Sequence, residues 1–401
     1  MKQKTILITG ATGFLGSYIT RELFHAGFSL KLLIRETNGI PARERFLTEL
    51  PFCILEEFFY NPPFDRIEII SGDILRYNLG LHIKSYTRLA ETVDEVFHCA
   101  ATTKFNDEPD ALNQTNVLGT EHISMFCITK KPKRLHYIST AYVAGKRRDT
   151  VLETELDKGQ LFNNAYEKSK FDAEKNLAEF TGRHHLPYTI YRPSIITGDS
   201  TTGYTKNYDN IYVFGKELIH LKNRTTQNII KKTDAMPNGF VPPHAPLRVP
   251  GDRYGTINLI PVDYAAQTIK TISLRPESIN NTFQVVNPSP PTVGELAEWI
   301  KVSTNINNLK IVPPEEFNMA PPTLQEELLV KKIRAFQPYM FGEPNFDSTN
   351  TRKILSGTGI ACPLITPGLI NHFMQYAIDT GWGRKKQTGE IRQREHIEIL
   401  Q

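Results

Sequence analysis

The chain has 401 residues, of which 40% are hydrophobic and 22% charged, as is ordinary for a folded globular protein. Its formal net charge of +4 is too small to indicate nucleic acid binding, although a slight positive excess suits an anionic cofactor or an acidic carrier protein. The four cysteines stand far apart, without the paired spacing of a zinc site, so we expect free thiols and no metal centre.

The N-terminus, MKQKTILITGATG, indicates a first strand rather than a signal peptide. Its apolar stretch is only a handful of residues long and leads directly into glycines. No window of the sequence approaches the roughly 20 apolar residues that a transmembrane helix needs. We therefore expect a cytoplasmic protein without a transmembrane segment.

Strands and helices alternate along the first 200 residues. Short apolar or β-branched runs predict strands at residues 5–9, 28–35, 66–73, 93–101, 134–140 and 186–194. Helical spacing of apolar residues predicts helices between them, at residues 14–26, 41–60, 110–130 and 164–182. This alternation predicts an α/β fold with a doubly wound, parallel Rossmann sheet, whose ligand lies beyond the carboxyl ends of the strands.

The composition changes after residue 200. Residues 200–256 are rich in Asn, Thr, Lys, Gly and Pro, and a helix is predicted near 210–222. One more strand is predicted at 282–288 and a capped helix at 292–303. These segments predict a smaller C-terminal lobe that packs against the sheet.

A glycine-rich turn joins the first strand to the first helix. Glycine lacks a Cβ, which permits a tight turn, a close approach of the backbone to a pyrophosphate and close packing of helix on strand. The helix N-terminus adds free N–H groups and a positive dipole end. The alternative is a turn that binds nothing, but the strand–turn–helix context favours a dinucleotide site formed by Gly10, Thr12, Gly13, Phe14, Leu15 and Gly16.

The end of the second predicted strand indicates which dinucleotide binds. Enzymes that use NAD usually carry an acidic residue there, which grips the ribose hydroxyls. Here the strand ends in Arg35, and Arg45 follows shortly, and a guanidinium can bind a 2′-phosphate through two hydrogen bonds. We predict NADP(H), with Arg35 ahead of Arg45 as the phosphate ligand; a solvated charge at the strand end is the alternative.

Later strand ends supply further candidate contacts to the cofactor. Asp73 follows the third strand and can accept a hydrogen bond from the adenine amino group, with Ile74 beside it. Cys99, Ala100 and Ala101 are small residues at the end of the fourth strand, where a nicotinamide ribose can lie close to the backbone.

Tyr166 and Lys170 form the candidate catalytic pair. They are four residues apart on a predicted helix and therefore share one face, although such a pair is more often a solvated helix surface. The preceding strand ends in Ser139 and Thr140, which places hydroxyls near the pair. An adjacent ammonium is expected to lower the pKa of the tyrosine, and Thr140 to hold the substrate oxygen, since Ser139 should point to the other side of its strand.

These motifs, in this order, resemble the extended short-chain dehydrogenase/reductases, which share the TGxxGxxG loop, the Ser/Thr before an AYV run and the YxxxK pair. Within them the chain resembles the thioester reductases, which release polyketide and peptide chains from carrier proteins, and the related fatty acyl-CoA reductases. The similar stretches are TGATGFLG (9–16), VFHCAATTKFN (96–106), NVLGT (116–120), YISTAYVAG (137–145), RPSIITGDSTTG (192–203), INLIPVDYAAQTI (257–269) and NTFQVVNPSPPTVGELAEWI (281–300).

The resemblance implies residue roles and a domain organisation. It makes Thr140, Tyr166 and Lys170 the catalytic set and brings Pro193, Ser194 and Ile195 beside the nicotinamide. We expect three parts: an NADP-binding Rossmann domain whose sheet later segments complete, a substrate-binding lobe and a polar tail, at residues 1–200, 201–385 and 386–401.

The reaction implied is NADPH-dependent reduction of an acyl thioester, carried by an acyl carrier protein or coenzyme A, to an aldehyde. The sequence does not decide whether a second hydride transfer then gives the alcohol. A nucleotide sugar or hydroxysteroid is the alternative substrate, since those relatives share the loop, the triad and the fold. A protein that senses NADP without chemistry is a third hypothesis, disfavoured because Tyr166 and Lys170 are both present.

Basic and aromatic residues after residue 203 are candidates for docking a phosphopantetheine arm or an acidic carrier protein. The alternative for each of them is an ordinary solvated loop. They are Tyr204, Tyr212, Lys216, Lys222, Arg224, Lys231, Lys232, Arg248 and Arg253.

Overall fold

The computed structural model describes residues 3–50, 54, 66–103, 105, 108–233 and 246–384. The strands are β1 (Thr5–Thr9), β2 (Ser29–Ile34), β3 (Ile67–Ser71), β4 (Glu95–His98), β5 (Arg134–Ile138), β6 (Thr150–Val151), β7 (Tyr188–Pro193), β8 (Ile195–Thr197), β9 (Leu247–Pro250), β10 (Leu259–Pro261), β11 (Asn281–Val285), β12 (Leu309–Val312) and β13 (Asn345–Phe346). The α-helices span Phe14–His25, Ala42–Glu49, Ile83–Thr92, Pro109–Asn113, Gly119–Ile128, Ala165–His184, Ile211–Thr233, Val262–Ser273, Val293–Ser303, Pro314–Asn318, Leu324–Ile333, Thr349–Leu355 and Pro367–Asp379.

Seven strands form one parallel sheet in the order β11-β7-β5-β4-β1-β2-β3. The chain first winds outward from β1 to β3, then returns to the other side of β1 and continues through β4, β5 and β7. The reversal leaves a crevice beyond the carboxyl ends of β1 and β4, which is where doubly wound sheets bind their ligands. The predicted α/β Rossmann fold is confirmed.

The sheet is buried on both faces, which explains why its strands are nearly continuous apolar runs. On one face, the helices Phe14–His25 and Val262–Ser273 contribute to a core that includes Ile8, Leu32 and Phe283. On the other face, the helices Gly119–Ile128 and Ala165–His184 pack over Leu7 and Leu135.

The seventh strand comes from far along the sequence. After β7 the chain passes through β8, β9 and β10 before β11 pairs with β7, from Asn281 opposite Thr189 to Val285 opposite Pro193. The Rossmann sheet is therefore closed at this edge by a segment that follows residue 280.

A second apolar core lies in the C-terminal part. It joins β9 and β12 to one face each of four helices: Ile211–Thr233, Val293–Ser303, Leu324–Ile333 and Pro367–Asp379. The helix Val293–Ser303 begins with a capping box, in which Thr292 and Glu295 satisfy each other's backbone N–H groups. The predicted capped helix is therefore observed.

Several predicted elements are shorter in the structure. The helix predicted at 41–60 is Ala42–Glu49, and most of the segment beyond residue 50 lies outside the described residues. The fourth strand ends at His98, so Cys99 to Ala101 follow it as irregular backbone. The helix predicted at 110–130 contains a π turn at Gln114–Leu118. The tail 386–401 also lies outside the described residues.

Across the part of the chain that the structure describes, no helix is both long and apolar enough to cross a membrane.

Candidate active site

A cavity of about 750 Å³ lies beyond the carboxyl ends of β1, β4, β5 and β7. Segments 206–213 and 332–339 of the C-terminal part form its opposite wall. The sequence-predicted residues that the structure brings together around it are Gly13, Phe14, Leu15, Gly16, Cys99, Ala101, Thr140, Tyr166, Lys170, Pro193, Ser194 and Ile195.

Two residues of the glycine loop must be glycine, because the surrounding backbone leaves no room for a Cβ. Gly10 has a φ of +73°, and a Cβ there would come within 2.5 Å of the Ala100 backbone nitrogen. A Cβ on Gly16 would lie 2.0 Å from the Gly10 carbonyl oxygen. Either side chain would force the loop away from the strand ends, so both glycines are needed for the loop to border the cavity.

The helix behind this loop presents an anion site. Its first intrahelical bond is donated by the Ser17 amide to the Gly13 carbonyl, which leaves the N–H groups of Phe14, Leu15 and Gly16 without helical acceptors. Gly13 caps the helix without a side chain, and the first turn carries no acidic residue. These features are those that a pyrophosphate requires, so the loop fits a dinucleotide.

Two buried hydroxyl groups at the cavity lack hydrogen-bond partners among the described residues. Ser139 and Ser194 both border it, and neither Oγ has a hydrogen-bond partner among the described residues. Because a buried hydroxyl without a partner is unfavourable, these two atoms suit a polar ligand. Ser139 thus borders the same cavity as Thr140, although alternation along a strand predicts that it points away.

Tyr166 lies in the first turn of the helix Ala165–His184. Asn164 caps this helix, its side chain accepting from the Glu167 amide at 2.9 Å. Burial raises the pKa of Tyr166 to about 12, and a hydrogen bond with the Thr140 side chain opposes that rise. The Thr140 hydroxyl also lies 3.4 Å from the Pro193 carbonyl oxygen, which ties it to β7.

Lys170 is almost completely buried, one turn farther along the helix. Its ammonium donates to the Ile138 carbonyl oxygen at 2.7 Å and lies 4.2 Å from the centre of the Tyr137 ring. Burial lowers the pKa of Lys170 to about 7, while the carboxylate of Glu174 opposes the fall.

The expectation that Lys170 lowers the pKa of Tyr166 is wrong for this structure. The pKa of the tyrosine rises, because burial removes the water that would stabilise its phenolate. Burial acts on the lysine in the same direction, since it disfavours the ammonium. Both side chains are therefore driven toward their uncharged forms.

The residues predicted for the adenosine end lie outside the cavity: Arg35 follows β2, Asp73 and Ile74 follow β3, and Arg45 lies on the helix Ala42–Glu49. These strand ends are joined by a hydrogen bond from the Gly72 amide to the Ile34 carbonyl at 3.1 Å. Arg35 is exposed there, whereas Arg45 is bound to Glu49 at 2.7 Å and Thr37 at 3.0 Å.

Asp73 and Ile74 serve local structure in this region. The Asp73 carboxylate accepts from the Leu75 amide at 3.0 Å, and the Ile74 carbonyl is 2.7 Å from His122 Nδ1. Two other residues predicted to contact the cofactor make local hydrogen bonds. The Ala100 amide, after β4, donates to the Thr9 hydroxyl at 3.3 Å, and the carbonyl of Thr12 in the glycine loop accepts from Lys206.

Sequence reasoning overlooked Glu36, the acidic neighbour of Arg35. Its carboxylate accepts a hydrogen bond from the Ser71 hydroxyl at 3.0 Å. Glu36 directly follows Arg35, so the sequence alone shows an acidic side chain beside the candidate phosphate ligand.

The C-terminal part contributes residues that no motif predicted. The Tyr339 hydroxyl donates to Glu167 at 2.6 Å and accepts from Asn164 at 2.9 Å, so it contacts the start of the helix that bears Tyr166. Lys206 donates to the Thr12 and Glu49 carbonyls, which ties the C-terminal part to the glycine loop. These contacts join residues more than 150 positions apart, so local spacing carries no signal for them.

The predicted docking surface is not a single exposed surface. Tyr212 is buried and accepts from the Gly198 amide at 3.0 Å. Arg248 is bound to Glu326 at 2.8 Å, and the Arg253 guanidinium lies over the Tyr254 ring. The side chains of Arg224, Lys231 and Lys232 lie outside the described residues.

A Rossmann sheet, a glycine loop and a Thr–Tyr–Lys cluster at one cavity define a nicotinamide-dependent oxidoreductase of the extended short-chain dehydrogenase/reductase class. The chain belongs to the NAD-binding family described as male sterility protein, which matches residues 8–269. The predicted assignment to this class is confirmed.

Curated relatives include a peptide synthase and a carboxylic acid reductase. The chain is 27% identical, over 95% of its length, to a component of the linear gramicidin synthase of Brevibacillus parabrevis, of which it spans 7%. It is 26% identical, over 75% of its length, to carboxylic acid reductase of Mycobacterium marinum, of which it spans 26%. The chain thus corresponds to a small part of these curated relatives.

A solved structure is similar over nearly the whole chain. The terminal R domain of the myxalamid PKS-NRPS pathway is 27% identical with a TM-score of 0.76, and the match covers 96% of this chain and 93% of that domain. The similarity therefore extends beyond residue 300, where the sequence motifs end. The predicted resemblance to thioester reductases is confirmed and is favoured over the nucleotide-sugar alternative.

Proposed function

We propose that this chain uses NADPH to reduce an acyl thioester carried by an acyl carrier protein or by coenzyme A. The acyl chain is released as an aldehyde, which is itself a candidate substrate for a second reduction to the alcohol. One observation carries the proposal: a single cavity is lined both by the glycine loop and by Thr140 and Tyr166. Delivery of a hydride to a carbonyl needs that juxtaposition.

The residues that hold the cofactor follow from the geometry of the loop. The free N–H groups of Phe14, Leu15 and Gly16 bind the pyrophosphate, and Ser139 and Ser194 offer hydroxyls near the nicotinamide. In the described part of the chain Arg35 has no ion-pair partner, which leaves its guanidinium for a 2′-phosphate. When bound, NADPH supplies a hydride to the thioester carbonyl carbon.

Thr140 and Tyr166 act on the carbonyl oxygen. Both hydroxyls donate hydrogen bonds to it and stabilise the negative charge that develops as the carbon is reduced. Because the pKa of Tyr166 is raised to about 12, the phenol is fully protonated at neutral pH and donates its proton to that oxygen. The C–S bond of the resulting hemithioacetal then breaks, and a thiol and an aldehyde leave.

Lys170 binds the nicotinamide ribose. Its ammonium is held by the Ile138 carbonyl and the Tyr137 ring, and Lys170 borders the cavity, so the same ammonium has hydrogens left to donate to a ribose hydroxyl.

The two apolar cores support a division of labour in the chain. We propose that residues 1–200, together with β11, bind the cofactor, and that most of residues 201–385 bind the substrate. The cavity between them is bordered from both sides, so closure of the site needs both parts.

The proposal is tested by measuring the oxidation of NADPH, which is monitored through the absorbance of NADPH. Acyl-pantetheine thioesters should be reduced, whereas nucleotide sugars should not, and free aldehydes report whether the second reduction occurs. Tyr166→Phe should lower kcat by roughly 10²- to 10⁴-fold, because it removes the proton donor. The exposed Tyr77→Phe is the control. Turnover of a nucleotide sugar alone, or full activity of Tyr166→Phe, would refute the assignment.

A further inference from the structure

A second, smaller cavity of about 50 Å³ adjoins the catalytic cavity. The two cavities share five lining residues, Ile195, Asn210, Ile211, Phe336 and Tyr339. We name the smaller cavity the side chamber. Because the same residues line both cavities, the side chamber lies directly beside the active site.

The walls of the side chamber are apolar. Apart from Asn210, the described residues that line it have aliphatic, aromatic or thioether side chains, and four of them lie on the helix Val293–Ser303. The one other polar atom there is the hydroxyl of Tyr339, which is already bonded to Glu167 and Asn164. A charged group placed in the chamber would therefore lose its hydration without gaining a partner.

The side chamber lies one layer of aromatic rings away from the proposed proton donor. The Phe105 ring is 5.6 Å from the Tyr166 ring, and it is 5.5 Å from Phe336 and 5.9 Å from Tyr339. Phe336 and Tyr339 form the wall that the two cavities share. These ring contacts place the chamber close to a group held beside Tyr166.

We propose that the side chamber binds the acyl chain of the thioester and selects short, uncharged, aliphatic chains. This inference rests on the proposed function, since it places the reacting carbonyl at Tyr166. A volume of about 50 Å³ admits only a few methyl-sized groups, because one water-sized probe already occupies about 10–15 Å³. The chamber therefore accommodates the end of a short acyl chain, and longer chains exceed its volume.

Turnover of matched thioesters tests the chemistry of the chamber. Butyryl- and succinyl-pantetheine both have four acyl carbons and differ in a terminal carboxylate. We expect kcat/KM to rise by about fourfold for each methylene from acetyl to butyryl, in line with the burial of apolar surface, and to fall at least tenfold for succinyl. Equal kcat/KM for butyryl and succinyl thioesters would overturn the inference.

Filling the chamber tests its location. Ala297 lines the chamber, so Ala297→Phe should abolish the advantage of butyryl over acetyl thioesters in kcat/KM. Ala377→Phe is the matched control, because Ala377 is buried in the same apolar core but does not line the chamber. If both substitutions changed the chain-length preference alike, the chamber would not be the acyl site.

A substitution that enlarges the chamber should shift the preferred acyl-chain length in the opposite direction. It does not require the apolar core to accept a larger side chain. Leu296→Ala removes a wall residue and should move the optimum from butyryl toward hexanoyl thioesters. An unchanged optimum in Leu296→Ala, with the protein folded, would contradict the assignment.

Binding measurements separate this inference from the proposed function. Amide analogues of acetyl-, butyryl- and succinyl-pantetheine cannot release a thiol, and their dissociation constants are measured by calorimetry with NADP⁺ present. Tighter binding of the butyryl analogue without turnover of any thioester would support the side chamber and refute the thioester reductase. Turnover of the thioesters with identical affinities for all three analogues would support the thioester reductase and refute the side chamber as the acyl site.

Discussion

Tyr166 and Lys170 show how burial sets the charge of the proposed site. The pKa of Tyr166 rises to about 12 and that of Lys170 falls to about 7, in both cases chiefly because the charged form loses water. At neutral pH the phenol is neutral and the amine is near its midpoint. Of the two groups, only Lys170 changes charge in the physiological range.

A pH dependence follows from the lysine. The ammonium is present below a pH of about 7 and is lost as the pH rises through that value, whereas Tyr166 keeps its proton. If the ammonium binds the cofactor, kcat/KM for NADPH should fall by up to about tenfold per pH unit above neutrality. Steady-state rates measured from mildly acidic to mildly alkaline pH report this. A flat profile across that range would show that the ammonium is not needed.

Arg35 is expected to decide between the two nicotinamide cofactors. Arg35→Asp should raise KM for NADPH by about 10- to 100-fold, because a charge-assisted pair to the 2′-phosphate is lost, and should leave KM for NADH within about threefold. Glu36→Gln is the adjacent control and should alter the ratio of the two KM values little, since its carboxylate is bonded to Ser71. Equal losses for both cofactors would remove Arg35 from the phosphate site.

Among the elements, the first turn of the helix Ala165–His184 depends on a residue from the C-terminal part. Tyr339 donates to Glu167 at 2.6 Å, and burial leaves the pKa of Glu167 raised although this hydrogen bond opposes the rise. The helix end that carries Tyr166 is therefore positioned by a hydroxyl 172 residues away in sequence.

Removal of that hydroxyl should weaken the helix end. Tyr339→Phe leaves a buried carboxyl oxygen short of a donor, at an expected cost of about 1–3 kcal/mol in the free energy of unfolding. Denaturant titration measures this loss, and kcat should fall more than KM rises. Tyr254→Phe, at an exposed tyrosine, serves as the control. Equal stability of the Tyr339 and Tyr254 variants would mean that the bond contributes nothing.

The elements also show what sequence can and cannot predict. The strands of the seven-stranded sheet and the glycine loop were predictable, because their signals are local: apolar runs, glycine spacing and the four-residue separation of Tyr166 and Lys170. The helices Ile83–Thr92 and Val262–Ser273 were missed. The raised pKa of Tyr166 was also missed, since burial is set by Phe105 and other residues that only the tertiary structure brings near.

At the scale of the whole molecule, Glu343 joins the C-terminal part to the sheet. Its carboxyl accepts from the Tyr142 hydroxyl at 2.7 Å, and its other oxygen is buried without a hydrogen-bond partner among the described residues. Burial raises the pKa of Glu343 to about 8, so the folded state holds a proton that the unfolded state releases near its ordinary value of 4.5.

Stability should therefore decline as pH rises through this window. Between a pH of about 4.5 and 8 the folded state binds more protons than the unfolded state, so this carboxyl contributes stability at low pH that is lost by pH 8. The side chain introduced by Glu343→Gln does not titrate. The free energy of unfolding of this variant, relative to that of the wild type, should therefore increase by on the order of a few kcal/mol between about pH 5 and 8. A difference that is constant with pH would contradict the assignment of a buried, protonated carboxyl.

The late position of β11 has a consequence for synthesis and for evolution. A ribosome releases β7 well before it has translated Asn281–Val285, so one edge of the nascent sheet stays unpaired while the chain continues to emerge. The Rossmann sheet cannot complete its hydrogen bonding during that interval, and its folding must await contacts of long sequence separation. A recombination event would accordingly have to transfer this chain as one piece, since a crossover near residue 200 would separate a sheet from its own edge strand.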